Sequence, residues 1–105
     1  MEIRETSFFT KKIGRLLDRE SYRLLQLSLA AHPESGDVMK GSGGLRKIRW
    51  AGSGRGKRGG TRVIYYWARA DGVILMLMAY AKNEVSDLTK EQIAILRRVV
   101  EEEFK

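Results

Sequence analysis

Three basic residues on two candidate strands carry the pattern richest in chemistry. Lys47 and Arg49 lie two apart in LRKIRWA, so on a strand they share one face. Arg62 lies at the start of the next strand-like run, one residue after Gly59 and Gly60, which leave room for close approach of another backbone. Such a group can neutralise the charge that grows on phosphate oxygens during transfer. Like charges at Arg49 and Arg62 disfavour the ammonium form of Lys47, which makes it the candidate base. Arginine keeps its proton at working pH, so Arg49 and Arg62 are candidates for charge stabilisation, with the fork of Arg62 on a phosphate. The same residues also suit a solvated sheet face, and an arginine at a strand edge discourages sheet-to-sheet pairing. The sequence alone leaves both readings open.

The wider charge pattern favours an anionic partner. Residues 38–70 contain nine Lys/Arg and no Asp or Glu, whereas the rest of the chain has eleven bases and thirteen acids. The net charge of +7 is therefore concentrated in one stretch. That suits a polyphosphate, because each neutralised phosphate releases condensed counterions. Arg46, Arg55, Lys57 and Arg58 are the candidates for gripping nucleic-acid phosphates, the last three on the glycine-rich run GSGRGKRGG. That run lacks the GK-[ST] ending of a nucleotide-triphosphate loop and leads into a strand, not a helix. No basic amphipathic helix stands out, so nucleic acid is favoured over a membrane surface. There is no cysteine, which fits a reducing, cytoplasmic setting, and a single histidine. No cofactor and no metal are expected, because the acids are scattered. No signal peptide is expected, and the longest apolar run, residues 73–81, is too short to cross a bilayer.

The elements that must position these residues follow from periodicity. Residues 3–9 alternate loosely and predict a short strand. Thr10 is the expected N-cap of a helix to about residue 18, with Ile13, Leu16 and Leu17 inward. A second helix is expected over residues 20–31, with Tyr22, Leu25 and Leu29 inward, ended by His32-Pro33. Residues 33–44 read as loop. Strands are expected at 45–51, 61–68 and 73–81, the last apolar on both faces and so central. In the first of these, Arg46, Ile48 and Trp50 face one way and Leu45, Lys47 and Arg49 the other. Asp71-Gly72 signals a tight turn, and Thr89 to Gln92 a capping box. The helix it opens carries Ile93, Leu96, Val100 and Phe104 on one stripe. The expected fold is α+β, in the order β-α-α-β-β-β-α. A small antiparallel sheet carries two N-terminal helices packed on it and a C-terminal helix.

The blocks GSGGLRKIRWA, GKRGGTRVIYYW and MLMAYAKNEVSDLT, in that order after two helices, resemble the RelE/HigB family of bacterial type II toxin–antitoxin toxins, and its HigB-like branch most closely. The resemblance covers roughly residues 37–96 well and the first two helices more loosely. It implies a single RelE/ParE-like domain over residues 1–105 and a small cytoplasmic protein. It further implies a metal-independent endoribonuclease that enters the A site of the small ribosomal subunit, cuts mRNA there and arrests translation. A cognate antitoxin, often with a helix-turn-helix domain, is the implied inhibitor. Lys47 and Arg49 match the family's paired basic positions on its second strand, and Arg62 its transition-state arginine. Tyr80 and Lys82, the remaining catalytic candidates, fall where the family places a basic or aromatic group; Tyr80 suits either stacking on a base or packing in the core.

RNA is cut without a metal when its own 2′-OH attacks the adjacent phosphorus. The hydroxyl proton must leave, the phosphate charge must be neutralised and the departing 5′-oxygen must be protonated. With one histidine, that work falls to Lys, Arg, Tyr or a carboxylate. The alternative comes from the ParE-like branch of the same scaffold, whose members inhibit DNA gyrase and have no nuclease activity.

Overall fold

The computed structural model describes residues 1–51, 60–85 and 87–105. Five strands form one sheet in the order β1-β5-β4-β3-β2. They are β1 (Glu2–Glu5), β2 (Asp37–Val38), β3 (Arg46–Trp50), β4 (Thr61–Ala68) and β5 (Val73–Ala81). Helices α1 (Ser7–Leu16) and α2 (Arg19–Ala31) cover one face, and α3 (Lys90–Glu103) packs on the other. The architecture is the α+β arrangement read from the sequence, with two corrections to the sheet. It is mixed, not purely antiparallel, because β1 runs parallel to β5, with Ile3 opposite Ile74. The intervening chain is long enough to carry the parallel crossover. The expected loop at residues 33–44 also contributes the two-residue edge strand β2.

The start of α1 differs from the sequence reading. Its N-cap is Thr6, not Thr10, and β1 ends at Glu5 instead of continuing to Phe9. Thr6 Oγ1 accepts from Phe9 N–H at 3.0 Å and its hydroxyl donates to Leu77 O at 3.0 Å. One side chain thus caps the helix and ties it to the central strand. Thr10 sits inside the helix and donates instead to Thr6 O and Glu5 Oε1, at 3.1 and 2.6 Å. The earlier start brings Phe9 onto the inner stripe with Ile13 and Leu16. Asp18 caps α2, and Thr89 with Gln92 forms the expected capping box on α3. Gly72, at φ +64°, closes the turn into β5.

Two apolar layers sandwich the sheet. Phe9, Ile13, Leu16, Leu25 and Leu29 pack on Val63, Tyr65, Ile74 and Met76. On the other face Leu45, Ile64, Leu75 and Leu77 pack under Ile93, Leu96, Val100 and Phe104 of α3. The central strand β5 supplies both layers. Its register against β4 shifts by one residue, Tyr65 facing Met76 and Ile64 facing Met78, so Leu77 is the extra residue of a bulge. The bulge changes the parity of β5. Ala79 falls on the α1/α2 side, and Tyr80 is turned onto the α3 side.

Tyr65 fixes the route of the chain into β2. Fully buried, it donates to Pro33 O at 2.8 Å and accepts from Gly36 N–H at 2.8 Å, and burial raises its phenol pKa. Tyr65→Phe leaves both backbone groups without that partner, so it is expected to cost about 1–3 kcal/mol, read as a lower urea midpoint. An unchanged midpoint would show that water replaces the hydroxyl.

Candidate nucleic-acid interface

The alternation expected for β3 is observed. Ile48 and Trp50 join the α1/α2 layer and Leu45 the α3 layer, which places Lys47 and Arg49 on the α3 side. On β4, Val63 belongs to one layer and Ile64 to the other, so Arg62 shares that side. Arg49 is directly opposite Arg62 in the β3–β4 register, and Arg62 is directly opposite Tyr80 in β4–β5. Lys47, opposite Ile64, is one diagonal step away. Helix α3 covers the end of this face toward Tyr66 and Leu75. The basic residues occupy the other end, where Arg49 is exposed and Arg62 and Lys47 are half-buried. The sheet therefore brings Lys47, Arg49 and Arg62 together on one surface, with Tyr80 buried beside them in the α3-side layer.

Two neighbours change the electrostatic picture. Lys47 is not surrounded by cations alone: Asp87 Oδ1 lies 3.8 Å from its Nζ, and Asp37 is its register partner on β2. Neither acid is adjacent to Lys47 in sequence, so only pairing and chain reversal reveal them. Tyr80 is buried, and burial is the main cause that raises its pKa above the ordinary phenol value. The Asp87 carboxylate adds to the rise and Arg62 opposes it. At neutral pH the Tyr80 hydroxyl thus keeps its proton and can act as a donor.

The remaining sequence candidates are less well placed or lie outside the described residues. Arg46 is on the opposite face of the sheet, where its Nη1 donates to Glu34 O and Gly36 O at 3.0 and 2.8 Å. It holds the chain ahead of β2 and points away from the basic surface. Lys82 follows the end of β5 in an exposed turn, with its N–H donating to Gly60 O at 3.4 Å. Arg55, Lys57 and Arg58 lie outside the described residues. Gly60 has an internal reason for its lack of a side chain. Its φ is +68°, and a Cβ there would sit 2.7 Å from Trp50 O. Trp50, partly buried, packs against the α1/α2-side core, its Nε1 donating to Ser21 Oγ at 3.2 Å.

A further basic cleft, of about 560 Å³, escaped the sequence reading. It lies between α1 and the end of β5 and is lined by Lys12, Arg15, Gly60, Asn83 and Glu84. Glu84 pairs with Lys12 at 3.1 Å, and its other oxygen accepts from Ala81 N–H at 2.9 Å. Among the described residues no group of three His, Asp or Glu side chains is arranged to hold a metal ion, and no helix is long and apolar enough to cross a membrane.

A two-helix layer behind a mixed sheet, with paired arginines on the half-open front, defines a small basic α+β scaffold. The chain matches the family model of the RelE toxin of the RelE/RelB toxin–antitoxin system over residues 7–105. It belongs to that family and is the toxin of a toxin–antitoxin system, which implies an antitoxin as its partner.

Proposed function

We propose that this toxin is a ribosome-dependent endoribonuclease that cuts mRNA in the A site by attack of the 2′-OH on the adjacent phosphorus. The observation that carries the reading is the register that sets Arg49 opposite Arg62 on the face that also bears Lys47 and Tyr80. In this reading Arg62 and Arg49 take the non-bridging phosphate oxygens and stabilise the charge that develops on them. Lys47 is the candidate base for the 2′-hydroxyl proton and Lys82, exposed at the end of β5, the candidate donor to the departing 5′-oxygen, while Tyr80 backs the site from the core. Arg55, Lys57 and Arg58 serve ribosomal or messenger phosphates. The ribosome supplies the attack geometry, and positioning of this kind is worth several orders of magnitude in rate. The cognate antitoxin, of the helix-turn-helix kind, holds the protein inactive in the bacterial cytoplasm.

The test is addition of the purified toxin to ribosomes holding a defined codon in the A site. Cleavage of the message within that codon is the expected result. An intact message together with inhibited supercoiling by gyrase would overturn it in favour of gyrase inhibition.

Phosphate binding makes a separate prediction. Arg49→Gln is expected to weaken binding of single-stranded RNA and to flatten the slope of log K against log salt by about 0.7. Anisotropy titrations at several salt concentrations read the slope; an unchanged value would remove Arg49 from the phosphate track.

A further inference from the structure

The strand that carries Tyr80 runs on past its neighbour. Strand β1 pairs with β5 as far as Glu5 opposite Met76, so among the described residues the end of β5 has no strand on that edge. A backbone N–H there needs another partner. For Ala81 the partner is Glu84, whose Oε1 accepts from Ala81 N–H at 2.9 Å, while Glu84 N–H donates to Ala81 O at 2.9 Å. The other carboxylate oxygen, Oε2, takes the Lys12 ammonium of α1 at 3.1 Å. One side chain thus closes the turn after β5 and ties it to the first helix. On the opposite edge, Lys82 N–H donates to Gly60 O at 3.4 Å. The chain at Lys82 is therefore held from both edges. Two residues on from Tyr80, Lys82 keeps the parity of Tyr80 and lies about 6–7 Å along the strand from the level of Arg62. A flexible four-carbon stem spans such a step.

An exposed ion pair by itself adds little to stability, and neither Lys12 nor Glu84 is buried. Rate is more sensitive than stability, because a displacement of about 1 Å in a reacting group can cost about 10²-fold. We infer that Glu84 is a positioning residue for message cleavage: it fixes the turn that aims the Lys82 ammonium at the departing 5′-oxygen. In that step the 2′-oxygen bonds to phosphorus, the bond from phosphorus to the 5′-oxygen breaks, and the Lys82 proton passes to that oxygen as it leaves. Glu84 itself touches neither the RNA nor the reacting atoms. The inference rests on the A-site cleavage proposed above, with Lys82 as donor, and adds the group that aims it.

The test compares two messages in the ribosome assay, one ordinary and one with sulfur in place of the 5′-oxygen at the mapped cut. A thiolate leaves without a proton, so the sulfur message needs no donor. With the ordinary message, Glu84→Ala is expected to lower the single-turnover rate about tenfold, at unchanged ribosome affinity and with an unchanged circular dichroism spectrum. With the sulfur message it should match the wild-type chain. Glu84→Gln keeps an amide oxygen for Ala81 N–H and should recover most of the rate. Lys82→Met is the reference, with a loss of at least about 10²-fold confined to the ordinary message. Equal losses for Glu84→Ala on both messages, or no loss on either, would overturn the positioning role. Equal losses for Lys82→Met on both would instead remove Lys82 as the donor, and an uncut message with the wild-type chain would remove the nuclease reading; either result takes this inference with it.

Discussion

Arg62→Ala is expected to lower the rate of message cleavage about 10²–10³-fold and to abolish growth arrest while the circular dichroism spectrum persists. The size follows from position. Arg62 stands between Arg49 and Tyr80 in the registers of three adjacent strands, at the centre of the proposed phosphate site. It belongs to neither apolar layer, so its truncation leaves the core intact. Arg62→Lys keeps the charge and loses the planar fork, so it should recover only part of the rate. An alanine variant that remains fully toxic would take Arg62 out of the chemistry.

The second large effect is on stability. Phe9→Ala is expected to destabilise the fold by about 3–5 kcal/mol, a large share of the 5–15 kcal/mol typical of a whole domain. Phe9 is wholly buried, belongs to the layer that seats α1 and α2 on the sheet, and packs against Tyr22 with ring centroids 5.8 Å apart. Its backbone N–H also completes the Thr6 cap. A urea midpoint that falls steeply, with cleavage retained at low temperature, is the expected pattern. A loss below about 1 kcal/mol, too small for a large-to-small change in a packed core, would show that the helix layer closes over the gap.

The elements legible in the sequence were those with a strong local signal. The capping box at Thr89, the turn at Asp71-Gly72, the two-faced apolarity of β5 and the alternation in β3 each report their own structure, and each appears as read. The start of α1 was obscure because Thr6 and Thr10 are both good caps. What decides between them is a long-range hydrogen bond from Thr6 to Leu77 and the burial of Phe9. The two-residue β2 has too little chain to show a period; its identity depends on Arg46 and Tyr65 gripping residues 33–36 from the sheet.

The candidate site was legible to the same depth. Spacing put Lys47 and Arg49 on one face, and strand order brought Arg62 alongside. Periodicity could not show that a bulge at Leu77 turns Tyr80 to that face, since a strict alternation from Ile74 and Met76 would place it on the other. Nor could it show Asp37 and Asp87 at Lys47, because carboxylates far apart in sequence carry no mark of a shared partner. Arg46 illustrates the converse. Its charge suggested phosphate binding, but the side chain is engaged by backbone carbonyls on the far face.

The measurement closest to the central claim is the mass of the upstream fragment released from a ribosome-held message. The surface formed by Lys47, Arg49 and Arg62 predicts a fragment ending in a 2′,3′-cyclic phosphate, and no fragment when the nucleotide before the cut lacks its 2′-OH. A fragment ending in a free 3′-hydroxyl, or equal cleavage of the deoxy-substituted message, would contradict it.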